Sequence, residues 1–425
     1  MMSIAPVDLP GPITSTPVAF QNRLFFSVSD GVHGDELWTS DGTAPGTVLF
    51  NDINPGSLGS APRNLTVAGN MLYFTASDGA HGTELWKTDG TAAGTSMLND
   101  INPGTAGSYP RNLTAAGNLL YFVAYNPGAG YEVNRTDGTS AGTFMVKDIN
   151  PGTSSSGPAY LTAVGSTLFF AASDGVRGNE LWKSDGTSAG TAMVSDISPG
   201  AAGSYPRGLT VLGSSVIFTA MDPTNGFEVW KSDGTTGGTV LVKDINPGTS
   251  GSMPSNLTLM GNAVYFAADD GVHSSQLWKT DGTTAGTVMV ANINPSGTAS
   301  ITSPVAVGST LYFAANDGVH GSELWKSDGT AAGTAMVADI NPGAATSNIT
   351  QIRAIGNGVI FSAYTPSAGF EPWKSDGTAA GTVMIGDVIP GTVGSTPTYI
   401  TVIGASIFMS STSDPLHPNR LWMGS

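Results

Sequence analysis

Short apolar runs separated by turn-forming residues recur along the whole chain, and no stretch keeps an apolar period of 3.6 residues. This pattern predicts β-strands and argues against helices. In the second copy of the pattern, turns at Gly69-Asn70, Asp78-Gly79 and Asp89-Gly90 separate four predicted strands, at residues 65–68, 71–76, 84–88 and 95–101. A longer crossing, residues 102–110, leads to the next copy.

One segment, Glu84-Leu85-Trp86-Lys87-Thr88-Asp89-Gly90-Thr91, returns from end to end of the chain. Its Asp-Gly-Thr core is spaced by 48 residues, once by 47, and begins at Asp41, Asp89, Asp137, Asp185, Asp233, Asp281, Asp328 and Asp376. Such a period indicates one supersecondary unit copied many times. Because composition does not change along the chain, residues 1–425 are predicted to form a single repeat domain.

Four short antiparallel strands with three tight turns and one longer crossing are typical of a β-propeller blade. Strands that are apolar on both sides fit this fold, because each blade packs against a neighbour on either face. The Trp that recurs in the third strand is predicted to fill the space between blades. A solenoid of stacked hairpins is the main alternative, and it would need capping repeats.

The two ends of the chain favour a closed propeller. The last copy has three predicted strands, with Leu421-Trp422 in the third, and residues 3–11 align with 384–391, the fourth strand and following turn of the copy before. An N-terminal strand that completes the C-terminal blade closes the ring and removes an open edge, so we expect a monomer. Counting strands this way favours nine blades, with eight as the alternative.

Charge and composition exclude several functions. Acidic residues outnumber basic ones 32 to 16, and a net charge of −16 disfavours nucleic acid as a partner. The absence of cysteine excludes disulfides, thiolate metal sites and a cysteine nucleophile. No run approaches the roughly 18 apolar residues of a membrane span. Residues 1–10 lack the pattern of a signal peptide, so either the protein is cytoplasmic or a secretion signal lies outside this chain.

The string Glu-Leu-Trp-x-x-Asp-Gly-Thr, followed by x-x-Gly-Thr and then Asp-Ile-Asn-Pro-Gly, resembles the signature of the bacterial ELWxxDGT repeat family. The resemblance covers essentially the whole chain. It fails at Asn134, which replaces the Trp, at Gln276, which replaces the Glu, and after Pro418-Asn419, where Arg420 replaces the Glu and no Asp-Gly-Thr follows. The resemblance implies an extracellular or cell-surface location and carries no defined activity.

The turn after the second strand and the crossing are predicted to emerge on one face of each blade. In the second copy this brings Asp78, His81, Glu84 and Asp100 near one another. Carboxylates on a glycine-rich loop could hold Ca²⁺, although no cofactor is required, and hydrogen bonds within the turn are the alternative. The candidate metal ligands are Asp30, Glu36, Asp78, Glu84, Asp317 and Glu323.

The histidines of these turns are candidates for ligand binding, at His33, His81 and His320. They share one position in the repeat with His273 and Arg177. Because they belong to different blades, no two are placed to share a zinc ion by local spacing. The Asp of each Asp-Gly-Thr turn is predicted to accept hydrogen bonds from its own turn.

Three copies replace the Asp-Gly turn with irregular loops, at residues 125–131, 221–227 and 364–370. Loops that depart from a repeat are where a function confined to a few blades is expected, and drift between tolerated variants is the alternative. Their aromatic and methionine residues are candidates for ligand binding: Tyr125, Tyr131, Met221, Phe227, Tyr364 and Phe370.

The sequence predicts a non-catalytic binding or adhesion module with several weak sites that act together on a repetitive target, such as a surface polysaccharide or glycoconjugate. The alternative is a scaffold or spacer of a larger surface protein with no ligand of its own. An enzyme is not expected, because catalysis needs a unique set of groups and the acids and histidines mostly repeat.

Overall fold

Each repeat folds into one four-stranded antiparallel sheet. The computed structural model describes residues 4–404, 406–411 and 420–424, and these contain 36 strands arranged in nine such sheets. The all-β fold and the nine-bladed propeller are therefore confirmed, and the eight-bladed and solenoid alternatives are wrong. Ser3, Pro418 and Asn419, which the sequence analysis used, lie outside the described residues.

The blades are numbered in chain order, and β1 (Ile4–Asp8) belongs to the last of them. Blade 1 contains β2 (Val18–Phe20), β3 (Arg23–Ser29), β4 (Asp35–Ser40) and β5 (Val48–Asn51). Blade 2 contains β6 (Arg63–Ala68), β7 (Met71–Ser77), β8 (Thr83–Thr88) and β9 (Ser96–Asn99). Blade 3 contains β10 (Arg111–Ala116), β11 (Leu119–Asn126), β12 (Gly130–Thr136) and β13 (Phe144–Met145). Blade 4 contains β14 (Ala159–Val164), β15 (Thr167–Ser173), β16 (Asn179–Ser184) and β17 (Ala192–Ser195).

The remaining blades follow the same order. Blade 5 contains β18 (Arg207–Leu212), β19 (Ser215–Asp222), β20 (Gly226–Ser232) and β21 (Val240–Lys243). Blade 6 contains β22 (Ser255–Met260), β23 (Ala263–Asp269), β24 (Ser275–Thr280) and β25 (Val288–Ala291). Blade 7 contains β26 (Thr302–Val307), β27 (Thr310–Asn316), β28 (Ser322–Ser327) and β29 (Ala335–Ala338). Blade 8 contains β30 (Thr350–Ile355), β31 (Gly358–Thr365), β32 (Gly369–Ser375) and β33 (Val383–Met384). Blade 9 contains β34 (Pro397–Ile403), β35 (Ser406–Ser411) and β36 (Arg420–Gly424).

The second strand of a blade is buried on both faces, which explains its unbroken apolar run. In β7, Leu72 and Phe74 pack in a core cluster with Phe25 of blade 1. The intervening Tyr73 packs in a different cluster with Phe122 of blade 3. Since successive side chains of a strand point to opposite faces, alternate residues of β7 serve the two neighbouring blades. Each of these side chains is at most slightly exposed.

Strand β1 pairs at the edge of the last sheet, whose order is β1-β36-β35-β34. The N-terminal strand thus supplies the fourth strand of blade 9, as the alignment of the chain ends predicted. Pairing the first and last segments closes the ring and covers an edge that would otherwise expose unpaired backbone groups.

The backbone divides into two compact units, one of Val7–Val216 with Ser232–Thr239 and one of Met1–Pro6, Ile217–Lys231 and Val240–Ser425. The first holds blades 1 to 4 complete, and the second holds blades 6 to 8 complete. Among the described residues, no helix is long and apolar enough to cross a membrane.

Candidate functional site

The turn between the second and third strands is held by a pair of side chains three residues apart. Asp78 Oδ1 accepts hydrogen bonds from the Ala80 and His81 amides, both at 2.9 Å, and Asp78 Oδ2 lies 2.7 Å from His81 Nδ1. Burial raises the pKa of Asp78, but the hydrogen bonds from His81 and the amides outweigh it and lower the pKa below its usual value. The same hydrogen bond raises the pKa of His81.

Equivalent pairs show that side chains other than histidine can donate the hydrogen bond at this position. His33 Nδ1 lies 2.7 Å from Asp30 Oδ2, and His320 Nδ1 lies 2.7 Å from Asp317 Oδ2. Where histidine is absent, Arg177 Nη1 donates to Asp174 at 3.0 Å and Asn225 Nδ2 donates to Asp222 at 2.8 Å. Three different side chains therefore close the same turn.

The glutamate that begins each Glu-Leu-Trp belongs to a separate network. Glu84 is fully buried, and its carboxylate accepts hydrogen bonds from the Ser108 hydroxyl, from the Ser108 amide at 2.7 Å and from the Asn102 amide at 3.3 Å. Burial raises the pKa of Glu84. Its carboxylate thus fastens the crossing that follows the fourth strand.

The equivalent glutamates are bound in the same way. Glu36 accepts hydrogen bonds from the Asn54 amide at 3.0 Å and the Ser60 hydroxyl at 2.6 Å. Glu323 accepts from the Ile340 amide at 2.9 Å and the Ser347 amide at 3.0 Å, and burial raises the pKa of Glu323 to about 7.

The structure separates the acids that the sequence analysis grouped as calcium ligands. The carboxylates of Asp30, Asp78 and Asp317 serve their own turns, whereas those of Glu36, Glu84 and Glu323 bind the crossings, as described above. Over the described ranges, no three or more His, Asp or Glu side chains gather where a metal ion could be held. Calcium binding at these loops stays a prediction.

The acid of the Asp-Gly-Thr turn is also engaged locally. Asp89 Oδ1 accepts hydrogen bonds from the Thr91 amide at 2.9 Å and the Thr91 hydroxyl at 2.7 Å, and Thr91 Oγ1 accepts from the Gly94 amide at 3.0 Å. This is the arrangement that the sequence predicted for the turn. The repeated acids are thus largely structural, which leaves the irregular loops as the candidate site.

The irregular loop of blade 3 presents two aromatic rings that contact each other. Tyr125 and Tyr131 are cross-strand partners in β11 and β12, and their ring centroids lie 5.5 Å apart with an interplanar angle of 68°. Arg111 Cζ lies 4.1 Å from the centroid of the Tyr131 ring, which is a cation–π geometry. Tyr125 is 36% exposed and Arg111 is exposed, so the group faces solvent.

Tyr109 lies in the crossing whose backbone runs next to this surface. The Ser108 carbonyl accepts a hydrogen bond of 2.8 Å from the Tyr125 amide, which places the preceding crossing beside β11. Tyr109 follows Ser108, is 52% exposed and has φ +48°, a left-handed conformation that a tyrosine rarely adopts. We name Tyr109, Arg111, Tyr125 and Tyr131 the blade-3 aromatic cluster.

Tyr125 and Tyr131 were predicted from the sequence, whereas Tyr109 and Arg111 were not. A signal was present in the sequence, because Ser-Tyr-Pro-Arg occurs at residues 108–111 and again at 204–207. These two segments lead into blades 3 and 5, which both carry irregular loops. Arg111 in the first strand and Tyr109, two residues before it, lie far from the loop in sequence. Only the folded blade brings them beside it.

The irregular loops of the two other blades carry related residues at the same positions. In blade 8, the Tyr364 and Phe370 rings are cross-strand partners with centroids 5.3 Å apart and an interplanar angle of 57°. In blade 5, Met221 lies in β19 and Phe227 in β20, and both are half-buried. Blade 3 combines a tyrosine pair in ring contact with an arginine on one of the rings, and it is taken as the candidate site.

Comparison with known proteins finds distant structural similarity at low sequence identity. No protein-family model and no curated protein matches the chain. The computationally designed Ika8 protein is 16% identical, with 84% of this chain and 94% of that protein covered and a TM-score of 0.46. A puromycin hydrolase is 13% identical (95% of this chain, 60% of that protein, TM-score 0.43), and a puromycin-hydrolyzing peptidase from Mycobacterium tuberculosis is 11% identical (88%, 60%, TM-score 0.40).

The prediction that the chain is not an enzyme is corrected by these comparisons. Peptidases that contain β-propeller domains are among the similar structures, so a repeated propeller sequence does not exclude catalysis. The chain spans 54% to 60% of the length of these peptidases. At such low identity and TM-score, the likeness extends to the fold and assigns no peptidase activity to this chain.

Proposed function

We propose that the protein is an extracellular or cell-surface binding module whose ligand is a polysaccharide or surface glycoconjugate, bound at the blade-3 aromatic cluster. The observation that carries this proposal is the solvent-facing pair of Tyr125 and Tyr131 with Arg111 packed on the Tyr131 ring. The resemblance to bacterial ELWxxDGT repeats supports the location.

The chemistry of the cluster suits a sugar. A pyranose ring has an apolar C–H face, which packs on an aromatic ring, and hydroxyls at its edge, which need hydrogen-bond partners. The tyrosine rings offer the aromatic surface, and the Arg111 guanidinium offers several N–H donors in a fixed plane. Mutual contact of the two rings holds them in place before a ligand arrives, which lowers the entropic cost of binding.

The overall charge selects among glycans. With a formal net charge of −16, the protein repels polyanions at a distance. Neutral polysaccharides are therefore the better ligands, and sulfated or uronic-acid polymers the worse ones. The aromatic pair of blade 8 and the Met221 and Phe227 loop of blade 5 would add weaker sites, which strengthen binding when the target repeats.

The experiment is a screen of neutral and acidic oligosaccharides, with and without calcium, followed by titration of the best ligand against matched variants. Blade 2 supplies the design, because Ser77 and Thr83 hold the register that Tyr125 and Tyr131 hold in blade 3. The double variant Tyr125→Ser/Tyr131→Thr thus gives blade 3 the residues of blade 2. We expect at least a tenfold loss of affinity, since each stacked ring contributes on the order of 1 kcal/mol or more.

The control is Thr83→Ala in blade 2, which should leave glycan affinity unchanged. Equal melting temperatures for the double variant and the parent protein would show that binding is lost through the site and not through unfolding. A blank screen under both calcium conditions, or unchanged affinity in the double variant, would reject the proposal.

A scaffold without a ligand of its own is the second candidate. Buried glutamates fasten the crossings of several blades in the same manner, which favours a rigid support. This function predicts that Tyr125→Ser/Tyr131→Thr leaves every activity of the parent protein unchanged.

A further inference from the structure

Blade 3 lacks the tryptophan that the third strand of every other blade carries. The residue at this place in β12 is Asn134, and its equivalents are Trp38, Trp86, Trp182, Trp230, Trp278, Trp325, Trp373 and Trp422. Asn134 pairs across the strands with Phe122. In blade 4, Trp182 pairs with Phe170 in the same register. The exchange therefore alters one side chain and leaves the strand pairing unchanged.

The recurring tryptophan belongs to a core cluster with three apolar residues of the preceding blade, which we name the indole socket. One residue comes from the third strand, one from the fourth strand or directly after it, and one from the crossing. The sets are Leu37, Phe50 and Ile53 with Trp86; Val133, Val146 and Ile149 with Trp182; Leu277, Val290 and Ile293 with Trp325; and Leu324, Val337 and Ile340 with Trp373.

The junction of blades 2 and 3 has the indole socket without the indole. Leu85, Leu98 and Ile101 hold the three positions, and they belong to one cluster with Phe122 of blade 3. Cross-strand partners point to the same face of a sheet, so the side chain of Asn134 is turned towards this cluster as that of Phe122 is. Residues 63–156, which form both blades and their crossings, are described without a gap.

Asn134 is fully buried, and only half of its amide group is used. Its Nδ2 donates a hydrogen bond of 3.1 Å to the Glu132 carbonyl, whereas its Oδ1 has no partner among the described residues. Buried polar groups are nearly always paired in folded proteins, so this oxygen indicates a donor that the described residues do not supply. An asparagine is also much smaller than a tryptophan, and a large-to-small exchange in a packed interior leaves unfilled space.

The outer rim of this junction is held by a weaker hydrogen bond than its equivalents. Asn99 Nδ2 donates to the Thr143 carbonyl of blade 3 at 3.3 Å. The equivalent bonds elsewhere run from Lys147 Nζ to the Thr191 carbonyl at 2.8 Å and from Lys243 Nζ to the Thr287 carbonyl at 2.9 Å. Lys243 Nζ also lies 5.8 Å from the centroid of the Trp278 ring, so these bonds border the indole. A neutral, longer bond opens more easily, which offers a way in for a small molecule.

We propose that the junction of blades 2 and 3 binds a free aromatic molecule of the indole class, whose ring takes the place of the missing tryptophan. The ring packs on Leu85, Leu98 and Phe122, and its N–H donates a hydrogen bond to Asn134 Oδ1. Buried cavities lined by leucine, isoleucine and phenylalanine bind free aromatic molecules in other proteins. This site is separate from the blade-3 aromatic cluster, which faces solvent, and it does not depend on glycan binding.

The test is isothermal titration calorimetry of the intact protein with indole. We expect one saturable site per protein with a dissociation constant below about 1 mM. Benzofuran has the shape of indole with an oxygen in place of the N–H. It should bind at least about fivefold more weakly, because it cannot donate to Asn134 and a hydrogen bond between neutral groups corresponds to about that factor.

Three variants locate the site. Asn134→Trp supplies the ring from the chain itself and should abolish indole binding. Asn134→Leu removes the acceptor and leaves part of the space, so the preference for indole over benzofuran should disappear even if the tryptophan variant does not fold. Tyr125→Ser/Tyr131→Thr removes the solvent-facing rings and should leave indole binding unchanged. Melting temperatures check that each variant is folded.

No saturable binding up to about 1 mM indole, undiminished binding in folded Asn134→Trp, or equal affinity for indole and benzofuran in the parent protein would overturn the proposal. Loss of binding in Tyr125→Ser/Tyr131→Thr would assign indole to the surface of blade 3, and would overturn it as well. Failure of the glycan screen would leave these results unaffected, so the two proposals are tested separately.

Discussion

Ser204 Oγ donates a hydrogen bond of 2.6 Å to Glu180 Oε2, and both side chains are fully buried. The same carboxylate accepts from the Ile197 amide at 3.0 Å and the Ser198 amide at 3.2 Å. One acid of the third strand therefore orders the crossing that leads out of its blade. A buried carboxylate is tolerated here because its lone pairs are used.

Blade 6 reaches the same result with a neutral side chain. Gln276 Oε1 accepts from the Ile293 amide at 2.8 Å, and its Nε2 donates to the Asn294 carbonyl at 3.0 Å and the Gly297 carbonyl at 2.8 Å. Ala299 lies where the other crossings carry the serine, and the repeat is one residue shorter. A glutamate paired with a serine, and a glutamine paired with an alanine, are thus two alternative ways of holding the crossing.

Removing the serine alone should cost stability. Ser204→Ala leaves a buried carboxylate oxygen short of a donor, so we expect the free energy of unfolding to fall by about 1–3 kcal/mol. Urea titration measures this change in the free energy of unfolding. Ser188→Ala, at an exposed serine of the same blade, is the control and should change stability by less than about 0.5 kcal/mol. Equal effects of the two substitutions would contradict the role given to Ser204.

The buried glutamates predict an unusual pH dependence. Burial raises the pKa of Glu323 from 4.5 to about 7, so the folded state favours the protonated carboxyl. The stability that this group contributes is complete below pH 4.5 and is lost as the pH rises through about 7. The free energy of unfolding of the parent protein, relative to Glu323→Gln, should therefore decrease over this range.

Urea titrations of both proteins at several pH values measure this difference. Glutamine is the natural residue at the equivalent position of blade 6, so the variant has a precedent within the chain. A difference that stays constant, or that grows as the pH rises, would show that Glu323 is not protonated in the folded state.

Replacing Tyr109 with glycine should raise the stability of the protein and weaken its binding to glycans. The Tyr109 φ of +48° costs about 1 kcal/mol for a residue with a side chain, and the following blade has Gly157 at the equivalent place with φ +62°. Tyr109→Gly should raise the free energy of unfolding by about 0.5 kcal/mol, after glycine's larger chain entropy is subtracted, and should weaken glycan binding severalfold.

Ala61→Gly is the matched control, because Ala61 holds the same position in blade 2 with φ +49°. It should gain similar stability and leave glycan binding unchanged. If Tyr109→Gly kept full glycan affinity, Tyr109 would have to be removed from the cluster.

The contact between neighbouring blades can be isolated with two glycines. Gly138 has φ +89°, and a Cβ there would lie 2.9 Å from the Tyr73 hydroxyl of the preceding blade. Gly128 has φ +86° with open space around the added Cβ. Gly128→Ala should cost about 1 kcal/mol for the backbone alone, and Gly138→Ala about 2–4 kcal/mol because the two blades must also shift.

Thermal or urea unfolding of both variants measures the two costs. If they are equal, the Tyr73 ring moves away from the added methyl group without penalty, and the contact between the two blades does not require glycine at position 138.

The order of strands and turns was readable from the sequence because both depend on local chemistry. Apolar runs of strand length, glycine and asparagine in the turns, and a 48-residue period predict blades wherever they occur. The closure of blade 9 by β1 was also predictable, since the missing strand at one end of the chain matched an extra strand at the other.

The hydrogen-bond partners of the polar residues could not be predicted from the sequence in the same way. Asp78 and Glu84 are six residues apart and look like one acidic loop, yet Glu84 binds Ser108, which comes 24 residues later. Which way a carboxylate faces depends on the path of the crossing, and sequence spacing does not contain that path.

The sequence by itself determined the fold class, the number of blades and the local role of the Asp-Gly-Thr acid, because strand period and turn chemistry act over a few residues. Only the tertiary structure decided which surfaces are available for binding. Arg111 meets Tyr131 because β10 and β12 flank β11 in the folded blade. This contact joins two strands that are not neighbours in sequence, and it forms only when the blade folds.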